Sequence, residues 1–75
     1  MSHEIEMRIL NIQLDIEYYT SYKFGLYQFI IEQNRFVNHK SRLSSDQLTL
    51  LFKEINLVDS VIFKLKQSIG EWAYT

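Results

Sequence analysis

A run of apolar residues in the second half constrains this chain more than anything else in it. Leu48, Leu51, Ile55, Val58, Ile62, Leu65, Ile69 and Trp72 follow one another at steps of three and four without a miss. An α-helix turns once in about 3.6 residues, so these steps keep every member on one stripe; a strand would need steps of two. A stripe this regular is a heptad seam, and a seam needs another helix against it. Its beginning is marked as well. Ser44 stands as N-cap, Asp46 falls in the first turn and Gln47 at the third helical position. In this capping-box pattern two side chains satisfy backbone N–H groups that the first turn leaves unpaired. The pattern predicts a helix over 45–72, with Gly70 in its last turn.

The first half carries a second seam and a competing one. Ile5, Ile9, Ile12, Ile16, Tyr19, Lys23, Leu26, Ile30, Gln33 and Val37 also recur at three and four, eight of them apolar. Glu4 and Arg8 stand four apart in the favourable order, and Glu32 can reach Arg35. Yet Leu10 to Tyr18 alternates apolar and polar residues perfectly, with Asn11, Gln13, Asp15 and Glu17 on the other face, which is the signature of a strand. A lone strand would have nothing to pair with inside the chain, and beyond Thr20-Ser21 no turn signal separates it from the helix that follows. The helical reading is therefore preferred, over 2–38. The alternative is a strand-helix-helix dimer, which resembles the ribbon–helix–helix layout in element order only.

The one cluster of loop-forming residues lies between the halves, Asn38 to Ser45, and sets a linker at 39–44. The expected architecture is all-α: a single helical domain over 1–75, folded as a long antiparallel hairpin. Each helix has more than one apolar stripe. Met7, Leu10 and Leu14 lie away from the first seam, Phe24, Tyr27 and Ile31 cluster elsewhere, and Leu50, Leu57 and Val61 flank the second. A hairpin covers one stripe per helix. The chain has 75 residues and no Cys, so it has a small core and no disulfide to reinforce it. Two hairpins pairing into a four-helix bundle would supply the missing burial. The eight-residue seam is assigned to the hairpin or dimer contact, and Met7, Leu10, Leu14, Phe24, Tyr27 and Ile31 to a partner interface. Tyr18, Tyr22, Phe29 and Phe36 are read as core, sharing a face with Leu26 and Ile30. Trp72 closes the second seam.

Chemistry is sparse. His3 and Glu6 lie one helical turn apart, but a metal needs three or four ligands, and His39 falls in the linker. They read as a solvated first turn whose acids suit the helix dipole. No nucleophile–base–acid constellation is present, so no enzyme, cofactor or small-molecule substrate is expected. The net charge of −1 excludes a strongly basic nucleic-acid binder. Residues 35–45 hold Arg35, Lys40 and Arg42 with no acid among them. They could meet an anion, and a small nucleic-acid-binding regulator using them is the alternative function. The plainer reading is that cations at a helix C-terminus and in a loop complement the dipole.

Met1 leads into His3, Glu4 and Glu6 rather than a basic and then apolar run, and no stretch is long and apolar enough to span a bilayer. A membrane-surface helix would want a Lys/Arg-rich polar face that the aromatic segment lacks. The expected location is cytoplasmic. Phe, Tyr, Ile, Asn and Lys are frequent while Gly, Ala, Arg and Pro are scarce, the bias of AT-rich DNA in a low-GC bacterium or in its phage or plasmid. The function expected is a non-enzymatic protein-interaction module (an adaptor, assembly subunit or small inhibitor) that binds itself and another protein through apolar helix faces.

Overall fold

A computed structural model describes residues 2–35 and 43–73. They form two α-helices and nothing else: α1, His3–Arg35, and α2, Ser45–Ala73. The segment with the strand signature, Leu10 to Tyr18, is helical throughout. The strand-helix-helix alternative is thereby overturned. Alternation of apolar residues scores as a strand only when a second strand can accept the backbone hydrogen bonds. An α-helix makes those bonds within itself and leaves the outward apolar residues exposed. The expected extension of α1 to residue 38 lies outside the described residues, as does most of the 39–44 linker.

Both helices begin with a capped turn. Ser44 Oγ accepts from the Gln47 backbone N–H at 3.1 Å, and Gln47 Oε1 accepts from the Ser44 backbone N–H at 2.8 Å. The capping box is formed in both directions. At α1 the cap is Ser2, whose Oγ accepts from the Ile5 backbone N–H at 3.3 Å. Glu4 and Glu6 in the first turn of α1 suit its positive end, and Arg35 in the last turn suits the negative one.

The helices pack as an antiparallel hairpin of Cα extents 57 × 16 × 11 Å, one layer thick. The interior is a single row. Ile30 of α1 and Ile55, Val58 and Ile62 of α2 are buried, and Ile55 is the deepest at 2% exposure. The flanking turns of both seams are half-buried: Ile5, Ile9, Ile12, Ile16, Tyr19, Lys23, Leu26 and Gln33 on α1, and Leu48, Leu51, Leu65, Ile69 and Trp72 on α2. Two helices in contact can enclose little more than the residues on their facing stripes. The middle of the row is shielded by turns on both sides, and the ends are not.

Trp72 is accordingly half-buried rather than enclosed. The Arg8 guanidinium lies over its ring, 4.8 Å from the centroid. This cation–π contact closes the end of the hairpin that has no linker. Glu4 lies 3.9 Å from Arg8 in an exposed i,i+4 pair, which adds little to stability.

Candidate functional site: two apolar faces of the hairpin

Two polar contacts across the hairpin show which flank of α1 lies beside which flank of α2. The Tyr22 hydroxyl donates to Glu54 Oε1 at 3.1 Å. The Lys23 ammonium donates to Asp59 Oδ1 at 2.8 Å. On α2, Glu54 and Asp59 lie on opposite sides of the Ile55–Val58 seam, five residues or about 140° apart. The Tyr22–Glu54 bond therefore marks one broad face of the hairpin, and the Lys23–Asp59 pair marks the other.

On the first face, Leu50, Glu54, Leu57 and Val61 follow at steps of four, three and four, so they share one strip of α2. Tyr18 lies one turn before Tyr22 on α1, and Phe29 two turns after it. The helices are antiparallel, so moving back from Tyr22 to Tyr18 corresponds to moving on from Glu54 to Leu57 and Val61. Moving forward to Phe29 corresponds to moving back to Leu50. Phe29 and Leu50 indeed line one shallow groove with Leu43, Gln47 and Leu51. Tyr18, Tyr22, Phe29, Leu50, Leu57 and Val61 are all exposed and lie on this one face of the two helices, with Glu54 between Leu50 and Leu57.

The expected core position of Tyr18, Tyr22 and Phe29 is corrected here; Phe36 lies outside the described residues. Residues 18, 22, 26 and 30 are linked by steps of four. Each such step rotates about 40° round the helix, so three of them carry Tyr18 about 120° away from Ile30. Only alternation of threes and fours stays on one seam. Tyr18 is 67% exposed, with its ring edge-on to Tyr19 at 5.3 Å between centroids.

The second face is more scattered. Phe52 and Phe63 share the strip of Asp59, seven residues before it and four after. Tyr27 lies one turn beyond Lys23, with Phe24 and Ile31 further round α1. All five apolar residues are exposed. Phe52 and Phe63 were not singled out in the sequence reading, although a signal was present: each directly follows a seam residue, Leu51 and Ile62, and so lies about 100° off it. Of the six residues assigned to a partner interface, Phe24, Tyr27 and Ile31 are on this second face. Met7 lies within about 20° of Tyr18 round α1, toward the first face, whereas Leu14 and Leu10 lie on the outer back of the helix, Leu10 nearer the second face. They do not form one surface.

Lys23 occupies a seam position, yet its stem is half-buried while its ammonium reaches out over the edge to Asp59. The hydrogen bond to Asp59 holds its proton and raises it above the ordinary 10.5, against a smaller opposing effect of desolvation. Tyr22 is raised above 10.0, first by its hydrogen bond to Glu54, then by desolvation and the Glu54 charge. Both groups hold a proton more tightly in the fold than in the unfolded chain. Their stabilisation is complete below the unfolded values and is lost as pH rises through the shifted ones. The melting temperature should thus fall as the pH rises past the ordinary 10.0 and 10.5 of these groups, and less steeply in Tyr22→Phe/Lys23→Met. The difference is small because both groups are open to solvent. Parallel melting curves for the two proteins across that rise in pH would refute the assignment.

Among the described residues no group of three or more His, Cys, Asp or Glu could hold a metal ion, and no helix is long and apolar enough to cross a membrane. Arg35 is exposed at the end of α1. Lys40 and Arg42, with which it was to form an anion contact, lie outside the described residues, as does His39. Compared with family models, with curated proteins and with solved structures, the chain matches none of them.

Proposed function

We propose that the chain is a non-enzymatic protein-interaction module, whose hairpins pair into a four-helix bundle and which holds another protein through the apolar residues left uncovered. The observation that carries this reading is the imbalance between inside and outside. Among the described residues four apolar side chains are buried and fourteen large apolar ones are exposed. The chain exposes 6078 Å². A compact monomer of 9.1 kDa exposes about 4,900 Å², so the excess is roughly 1,200 Å². A standard interface removes about 800 Å² from each partner. Monomeric proteins rarely expose contiguous apolar patches beyond a few hundred Å².

The band along Tyr22 and Glu54 and the scattered second face give such a module two surfaces. One serves self-pairing. Phe24, Tyr27, Ile31, Phe52 and Phe63 on the other suit a partner protein, since large aromatics anchor interfaces. Sedimentation velocity at about 10 µM, a concentration that populates a specific dimer of ordinary affinity, should report twice the chain mass. A monodisperse, cooperatively folded monomer would refute the self-pairing.

A further inference from the structure

We propose that the second copy sits on the face formed by Tyr18, Tyr22, Phe29, Leu50, Leu57 and Val61, in a two-fold symmetric contact. This assignment rests on the reading above and adds which face the copy covers.

Three observations converge on it. The first is the matched placement of the two strips. The six residues pair off at matched levels of the antiparallel hairpin, Tyr18 with Val61, Tyr22 with Leu57 and Phe29 with Leu50, over about 17 Å of helix. The Tyr22–Glu54 bond and the groove shared by Phe29 and Leu50 fix that register. On the opposite face, Phe63 has no exposed apolar residue at its own level on α1.

The second is area. A surplus of roughly 1,200 Å² per chain is of the size that a homodimer contact removes. A second hairpin is as wide as the first, and it covers both strips at once.

The third is composition. An isologous contact must match itself. This band sets an aromatic strip on α1 beside an aliphatic strip on α2. A two-fold axis parallel to the helices lays the α1 aromatics of each copy on the α2 aliphatics of the other at the same levels. Every helix then has antiparallel neighbours, as in an up-down-up-down bundle. Glu54 is the acid within this band, and the Tyr22 hydroxyl already bonds it.

The test compares the wild type with Leu57→Glu/Val61→Glu on this face and Phe52→Glu/Phe63→Glu on the other. Sedimentation velocity should give a dimer for the wild type and for the Phe52/Phe63 variant, and a monomer for the Leu57/Val61 variant. If that monomer also unfolds, footprinting of the wild type with hydroxyl radicals decides. Tyr18 and Phe63 are equally open in the lone hairpin, at 67% and 62%. In the dimer Tyr18 should oxidise several-fold more slowly than Phe63, and the protection should vanish on dilution. A dimer that survives Leu57→Glu/Val61→Glu while Phe52→Glu/Phe63→Glu dissociates, or equal oxidation of Tyr18 and Phe63, would overturn the face while leaving the pairing intact. A monomeric wild type, its band open to some other protein, would overturn both.

Discussion

Ile55→Asp is expected to abolish the cooperative thermal transition. Ile55 is the most deeply buried side chain, at 2% exposure, and it sits mid-row with Val58 and Ile62 one and two turns beyond it. The other buried residues of that row, Ile30, Val58 and Ile62, are all apolar, and the nearby Lys23 ammonium is held by Asp59 at the rim. The substitution removes the buried Ile, worth about 2–5 kcal/mol, and the carboxylate adds several more for losing water. The whole stability of a chain this size is about 4–11 kcal/mol. With one row of core, this chain belongs at the lower end. Circular dichroism should show loss of helix at 25 °C and no melting step. Asn56→Asp places the same carboxylate one residue on, at an exposed position, and should melt like the wild type. Retention of a sharp transition in Ile55→Asp would mean that the row is not the core.

Ile30→Ala should cost about 2–4 kcal/mol, and Ile31→Ala about 0.5 or less. The two isoleucines are adjacent in sequence and identical in chemistry. Ile30 is 8% exposed and Ile31 61%, because one residue is about 100° of helix. Ile30 is the one buried residue of α1, so its removal opens a cavity facing α2 that neither helix can close without moving. At about 4–8 °C per kcal/mol for a domain this small, the melting temperature should fall by roughly 8–32 °C. Measurements at one protein concentration are needed, because self-pairing makes the melting temperature concentration-dependent. Equal losses at the two positions would contradict the register of α1.

Much of the hairpin was legible locally. The α2 stripe from Leu48 to Trp72 and the Ser44–Gln47 box specify where that helix begins and which way it faces, since both are set by steps of three and four along one chain. The α1 seam was legible too, but so was a strand across Leu10 to Tyr18. Local pattern could not choose between them, because the choice depends on whether a pairing strand exists. The error over Tyr18, Tyr22 and Phe29 has a different origin. Steps of four, from Tyr18 through Tyr22 and Leu26 to Ile30, precess off one face, and Phe29 directly precedes Ile30 and so lies about 100° round from it. Lys23–Asp59, Tyr22–Glu54 and Arg8–Trp72 had no sequence signal at all: each joins residues more than thirty positions apart, and their meeting depends on how the two helices are set against each other.

The opposite fates of surplus apolar residues follow from the same distinction. The sequence by itself determined that the second half makes a long amphipathic helix beginning at a capped Ser44, and that the chain has more apolar residues than one hairpin seam can hide. Periodicity is a property of a single helix, and it survives whatever the helix packs against. The tertiary structure alone decided which surplus residues lie together. Tyr18, Tyr22 and Phe29 join Leu50, Leu57 and Val61 because the hairpin is antiparallel, with a register in which Tyr22 meets Glu54. Slide one helix by a turn, or reverse the hand of the hairpin, and the same side chains would be distributed over different faces. Each helix specifies its own stripes; the packing of the two turned separate stripes into one surface.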